Sequence, residues 1–233
     1  NNQEALNQIN KIINYIQFPE PGIWKNEVLL LADNEIHPTE PNSQNESGHT
    51  INTSNIYNTL SDKVLVKTLY ATEFPLQPST SGGNTQPELT EMIINTINSG
   101  VGFINYIGHG THQSLAHELL LEMENIDQLH TNNKPPIWVV GTCSFGQYIN
   151  KVCMAEELLK TDDAAIAVVA TTHGVGATTN NEYLSNFYNR IGDYVDENTD
   201  RLGDIFKKAK LSFNDNICTP YKFQLFGDPA LPI

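Results

Sequence analysis

Val101-Gly102-Phe103-Ile104-Asn105-Tyr106-Ile107-Gly108-His109-Gly110 is a mainly apolar run that ends in a histidine set between two glycines. A short apolar stretch bounded by turn residues reads as a strand buried on both faces, the kind found inside a parallel sheet. Further on, Ile137-Trp138-Val139-Val140-Gly141 repeats the pattern and runs into Thr142-Cys143-Ser144. Two such strands lying side by side and parallel, about 4.8 Å apart, would deliver an imidazole and a thiol to one rim of a sheet. A cysteine nucleophile needs that juxtaposition of base and thiol.

The rest of the chain fits around these two strands. Leu6, Ile9, Ile13 and Ile16 recur at helical spacing, which predicts an amphipathic helix over Gln3–Gln17, stopped by Pro19-Glu20-Pro21-Gly22. Val28–Ala32 and Val64–Tyr70 read as strands, with a polar loop over Asp33–Gly48 and a helix over Ile51–Leu60 between them. Glu73–Pro87 reads as irregular. Pro87 then opens a helix that Ser99-Gly100 closes, and proline is favoured at that first position. Helices are expected near Met123–Leu129, at Met154–Leu159, Asn181–Tyr194 and Leu202–Phe213, with further strands at Ala164–Ala170 and Lys222–Phe226. Strands and helices in alternation predict a mostly parallel sheet of about six strands with helices on both faces. In such sheets ligands bind beyond the carboxyl ends of the strands, where the glycine-rich turns fall.

Composition bounds the function. At 233 residues the chain suits one α/β domain, residues 1–233, with a core that needs no disulfide staples. A formal charge of −14, with no basic cluster to reverse it locally, excludes a nucleic-acid partner. Cys143, Cys153 and Cys218 are too few, and odd in number, for a disulfide framework. No apolar run is long enough to span a bilayer. The opening Asn1-Asn2-Gln3 reads as a cut through a longer polypeptide. Asn45-Glu46-Ser47 and Asn52-Thr53-Ser54 fit the glycosylation sequon, a motif common by chance.

The chemistry concentrates at the two strand ends. His109 is placed to draw the proton from Cys143, leaving a thiolate that attacks a carbonyl carbon, and then to protonate the leaving amine. The backbone N–H groups of Gly110 and Cys143 are the candidate oxyanion donors, each such donor being worth roughly 3 kcal/mol. A competing reading takes His109, His112 and His117 as metal ligands. The nearby Glu118 and Glu122 complete no zinc signature, and His-Glu-x-x-His is absent, so the site is read as metal-free. The chain also lacks the glycine fingerprint of dinucleotide-binding folds and the Gly-x-Ser-x-Gly of α/β-hydrolases. Gly174-Val175-Gly176, after the fifth strand, is placed to shape a pocket wall.

At these residues the sequence resembles the gingipain-type cysteine peptidases, a caspase-like clan, and within it the PorU-type sortases of the bacterial type IX secretion system. The resemblance rests on Asn105-Tyr106-Ile107-Gly108-His109-Gly110, Ala116-His117-Glu118, Thr142-Cys143-Ser144-Phe145 and Ala155-Glu156-Glu157-Leu158-Leu159. It continues through the run Ala164–Thr172, Arg201-Leu202-Gly203-Asp204 and Phe226-Gly227-Asp228-Pro229-Ala230-Leu231. Trp24-Lys25-Asn26 and Leu31-Ala32-Asp33-Asn34 also fit.

The resemblance implies a caspase/gingipain-like three-layer α/β sandwich and a histidine–cysteine dyad falling on His109 and Cys143. It implies a sortase-like endopeptidase or transpeptidase that removes C-terminal signal domains from exported proteins. Such an enzyme acts at the bacterial cell surface with an outer-membrane barrel partner, and its chain is much longer than this one. Gingipains add an acid that orients the histidine. Asp33 and Glu35 are the candidates here, along with the neighbourhood of His49. Thr172-His173-Gly174 would line the pocket for the residue before the cut, and a histidine there announces no preference for arginine or lysine. Where relatives carry an acid after the cysteine, this chain has Asn150. No cofactor is required by this chemistry, and a structural calcium ion, present in some gingipains, is left open. The alternative function is a catalytically silent domain that binds or scaffolds.

Overall fold

A computed structural model describes residues 2–34, 47–80, 82–197, 200–213 and 219–233. Glu35, Cys218 and most of the loop expected over Asp33–Gly48 lie outside the described residues.

Six strands form the central sheet: β1 (Glu27–Ala32), β2 (Leu65–Tyr70), β3 (Phe103–Ile107), β4 (Ile137–Gly141), β5 (Ala167–Thr171) and β6 (Phe223–Phe226). Their spatial order is β6-β5-β4-β3-β1-β2. All neighbours are parallel except β6, which runs antiparallel to β5. Each strand falls on a stretch the apolar pattern predicts, with ends shifted by a few residues.

The helices are α1 (Asn2–Gln17), α2 (Gly48–Leu60), α3 (Pro87–Ser99), α4 (Met154–Lys160), α5 (Ala177–Glu197), α6 (Leu202–Leu211) and a last turn, α7 (Thr219–Lys222). Two apolar cores, one on each face of the sheet, hold the layers together. Leu29, Leu31, Ile104, Tyr106, Trp138 and Val140 point into one core, with Ile93 and Ile97 of α3 and Leu158 of α4. Val28, Leu30, Phe103, Ile107, Ile137 and Val139 point into the other, with Ile56 of α2, Phe187 of α5 and Ile205 of α6. Strand side chains alternate faces, and here both faces are covered. A strand covered on both faces is apolar almost throughout, which is why β3 and β4 read as near-continuous runs rather than alternating ones; Asn105, fully buried in β3, is the polar exception.

The stretch expected to be irregular over Glu73–Pro87 carries a short hairpin pairing Gln77–Pro78 with Asn84–Thr85, and two of the expected helices also differ. The helix expected over Gln3–Gln17 is present, but Leu6, Ile9, Ile13 and Ile16 are 52%, 53%, 40% and 43% exposed. It docks through the other side, where Tyr15 is buried and Lys11 Nζ donates to the carbonyls of Leu159, Thr161 and Ala165 at 2.6, 2.8 and 3.1 Å. Periodicity identifies a helix but not which side finds a partner, and three carbonyls at the end of α4 and before β5 outbid the apolar stripe. The helix expected near Met123–Leu129 is a 3-10 turn over Met123–Gln128. It follows a small hairpin that pairs Ser114–Leu115 with Leu121–Glu122. Among the described residues no helix is long and apolar enough to cross a membrane.

Candidate active site

The sheet brings the two strand ends together. β3 and β4 pair in parallel, and Ile107 stands opposite Gly141 as the last paired position. His109 and Cys143 each lie two residues beyond that pair, at matching heights on adjacent strands. The ladder extends one step further, with Gly108 N–H donating to the Gly141 carbonyl at 3.4 Å. The following residues also touch: a Cβ at Gly110 would lie 2.8 Å from Thr142 Oγ1 and 2.9 Å from its Cγ2. Only a residue without a side chain fits there.

His109 is held on several sides. Its backbone N–H donates to Asp33 Oδ2 at 2.9 Å, and its carbonyl accepts from the Tyr106 hydroxyl at 2.6 Å. Gly108 is obligatory because a Cβ there would run into Asp33 Cβ and the Tyr106 hydroxyl. The His109 ring meets His49 edge-on, at 5.5 Å and 83°, and His117 at 4.7 Å and 36°. Asp33 directly follows β1, and its own N–H donates to the Ile107 carbonyl at 3.0 Å, so the ladder between β1 and β3 fixes where its carboxylate sits. That carboxylate is 1% exposed, and its Oδ1 accepts from Asn34 N–H at 2.8 Å. Of the two acids named for orienting the histidine, Asp33 is thus at His109, bound to its backbone N–H. Glu35 is outside the described residues.

Burial governs the electrostatics here. It pushes the Asp33 carboxyl up, against the pull of two backbone N–H donors and the two imidazoles. It pushes His49 down to about 4, so His49 is neutral near pH 7. Burial, reinforced by the nearby charge of Asp33, raises Glu118 to about 7. It also lifts the Tyr106 hydroxyl well above its ordinary value, keeping it a donor.

Cys143 is held more loosely. It is half-buried, and its Sγ lies 3.8 Å from the Val175 carbonyl, its acceptor. A Cβ on Gly174 would sit 4.0 Å from the sulfur, so the loop after β5 passes alongside it. Ser144 takes a left-handed backbone conformation, φ 59°, directly after the cysteine, a strained arrangement for a residue with a side chain. The strand end below is anchored through its carbonyls: Asn180 Nδ2 donates to Gly141 O at 2.9 Å, and Thr171 Oγ1 donates to Thr142 O. Among the described residues no hydrogen bond joins His109 to Cys143. Cys153 is fully buried at the start of α4, and burial raises its thiol to about 11. Of the two described cysteines, Cys143 is the reachable one.

The two oxyanion candidates lie at the same rim. Gly110 pairs with Leu115 in an isolated antiparallel bridge. The flanking bonds run from Ala116 N–H to His109 O and from Thr111 N–H to Ser114 O, both at 2.9 Å. In a bridge of that kind the central residue's own N–H points away from its partner, so the Gly110 N–H faces outward. Thr172 and His173, after β5, line a cavity of about 140 Å³ with Gln147, Tyr148, Ile149 and Gln224. Thr172 is fixed by its N–H to the Lys222 carbonyl at 2.9 Å. Among the described residues no acid lines this cavity.

The competing metal reading, set aside on the sequence, joined His109, His112 and His117; the fold gathers a different set. Asp33, His49 and His109 place one ligand atom each within 4.8 Å of one another. His112 instead belongs to the approach to α4, its carbonyl accepting from Met154 N–H at 2.9 Å. Two imidazoles and one carboxylate do not suit calcium, which takes six to eight oxygens. Tyr106 and Glu118 were not singled out for the site by sequence reasoning. Tyr106 reads as one more apolar strand residue, and Glu118 as a loop acid, until the fold buries both beside Asp33.

Comparison with known proteins identifies the fold and the family. No curated protein sequence matches the chain. Among solved structures, the Arg-specific cysteine proteinase gingipain R (RgpB) superposes with a TM-score of 0.78 at 20% identity, over 99% of this chain and 53% of that one. The complex of Porphyromonas gingivalis RgpB pro- and mature domains gives 0.74 at 20% identity, over 99% and 54%. A third structure, described only as a protease, gives 0.69 at 16% identity, over 99% and 53%. The chain thus spans about half the length of these proteins, and its caspase/gingipain-like fold is theirs. The family described as peptidase family C25 matches residues 1–233 in full. The chain belongs to peptidase family C25.

Proposed function

We propose that the chain is the catalytic domain of a sortase-like cysteine endopeptidase or transpeptidase that removes C-terminal signal domains from exported proteins. One observation carries the chemistry: His109 and Cys143 stand two residues past the same paired position of adjacent parallel strands. Rotation of the Cys143 side chain away from Val175 turns its sulfur toward the imidazole, and catalytic hydrogen bonds often close only once substrate is bound.

His109 then removes the thiol proton, and the thiolate attacks the scissile carbonyl carbon. The Gly110 and Cys143 N–H groups hold the oxyanion. Collapse to a thioester expels the amine, which His109 protonates. Water or a second amine then resolves the thioester, with His109 taking its proton. Asp33 and Tyr106 fix the His109 backbone between them, and Thr172, His173 and Gly174 border the substrate. A wall whose described residues include no acid offers no countercharge to a buried guanidinium or ammonium, so this reading assumes no preference for arginine or lysine before the cut.

The secretion-signal substrate, the outer-membrane barrel partner and the place at the bacterial surface rest on the resemblance to PorU-type sortases. The test is to incubate the protein with an exported protein carrying such a C-terminal domain, plus a small amine. The expected product is the shortened protein joined to the amine, and Cys143→Ala should lower the rate by about 10⁴-fold or more with unchanged circular dichroism. An uncut substrate, together with equal, slow labelling of the cysteines by a thiol probe, would favour the silent scaffold.

A further inference from the structure

We propose that Asp33, His49 and His109 form a binding site for one zinc-class cation, and that its occupancy switches the enzyme off by capturing the base. The switching part rests on the function proposed above; the binding part does not.

The site is assembled from three distant segments. Asp33 follows β1, His49 opens α2 and His109 follows β3. Their three ligand atoms lie within 4.8 Å of one another. Zinc bonds to nitrogen and oxygen are about 2.0–2.2 Å long, so ligands on one tetrahedral ion sit roughly 3.4 Å apart. An inward shift of about 1 Å by side chains alone closes that gap.

The ligand types fit as well as the spacing. Two imidazoles and a carboxylate are the set that zinc and its neighbours prefer over calcium or magnesium. The carboxylate is 1% exposed. Among the described residues no lysine or arginine makes an ion pair with it. A buried carboxylate in that position favours a cation. Both of its oxygens already accept backbone N–H groups, from His109 and Asn34, which leaves lone pairs for a metal and fixes the carboxylate's direction. His49 is 8% exposed and already faces the His109 ring, so the site needs no refolding to form.

The consequence for catalysis is direct. An imidazole nitrogen bound to a metal has no lone pair for the thiol proton. With His109 so engaged, Cys143 stays protonated and the first step stops. Cys143 is not in the set: its sulfur contacts the Val175 carbonyl at 3.8 Å, and the three ligand atoms come from Asp33, His49 and His109.

The experiment measures zinc binding by calorimetry and by metal content after dialysis against a zinc buffer. It uses the intact protein, Cys143→Ala and His49→Gln. Wild type and Cys143→Ala should each hold one Zn²⁺ with equal affinity, and His49→Gln should bind at least 100-fold more weakly while keeping its thermal transition. Co²⁺ loaded in place of zinc should give a visible band without a sulfur charge-transfer band, a readout independent of any variant's folding. Loss of binding in Cys143→Ala, undiminished binding in His49→Gln, or no binding to wild type would overturn the site. Where peptidase activity is measurable, it should fall as zinc occupancy rises. Binding without such inhibition would overturn the switch, and an absence of peptidase activity in metal-free protein would instead count against the proposed function.

Discussion

The ends of β3 and β4 are neighbours, yet they are built in opposite ways. At the end of β3, His109 is tied through its N–H to Asp33 and through its carbonyl to Tyr106, and packed by two other imidazoles. At the end of β4, Cys143 has one long contact to a carbonyl and glycine beside it. The difference suits a division of labour. In the proposed mechanism the base must be aimed, which the over-determined His109 backbone allows, and the nucleophile must reach a substrate carbonyl, which the loosely held Cys143 side chain allows.

The comparison can be broken first by thiol labelling. Cys143 is half-exposed, whereas Cys153 is buried with its thiol raised to about 11. At pH 8 a thiol of that kind is thiolate in only about one molecule in a thousand. Iodoacetamide should therefore modify Cys143 at least about a hundredfold faster than Cys153, read by peptide mass spectrometry. Comparable rates would mean that the open end is not open.

The second prediction sharpens the rigid end. Gly108→Ala drives a Cβ into Asp33 and the Tyr106 hydroxyl. Overpacking at a site with so little give should cost about 3 kcal/mol, a fall of roughly 6–12 °C in melting temperature for a chain of this size. The corresponding change at the open end, Gly174→Ala, meets only the Cys143 sulfur at ordinary contact distance, so the melting temperature should hardly move.

The smallest effect concerns pH. Glu118 is raised to about 7 from an ordinary 4.5. Between these values the folded chain keeps a proton that the unfolded chain has lost. Folded protein therefore binds more protons in that window, and stability must decline as pH rises through it. The contribution is fully present below about 4.5 and gone above about 7. Urea midpoints measured across this range should show the decline in wild type and a flatter profile in Glu118→Gln. Equal slopes would show that burial beside Asp33 does not raise the Glu118 carboxyl.

Much of this was legible in the chain. β3 and β4 announce themselves because both of their faces are buried, and the residues two places beyond each strand stand out by chemistry. The surroundings of His109 are less visible because they depend on crossovers. His49 arrives from α2, whose apolar pattern says little about facing. Asp33 binds the backbone of His109, a contact no side-chain motif encodes. The set His109, His112 and His117 is close in sequence, but the hairpin at Ser114–Leu115 and the approach to α4 carry His112 elsewhere. Local spacing sees only neighbours along the chain, while the sheet order puts β1 beside β3 and so brings Asp33 to the histidine. The facing of α1 was decided by carbonyl acceptors at the end of α4 and before β5, which its own periodicity does not contain.

The claim at the centre is that His109 acts on Cys143, and the rate of Cys143 alkylation at pH 7 in wild type and His109→Ala tests it most directly. Iodoacetamide reports thiolate without needing a substrate or a partner. The rate should drop by about tenfold or more when the imidazole is removed, while Cys153 reacts as before. An unchanged rate at Cys143 would contradict the pairing.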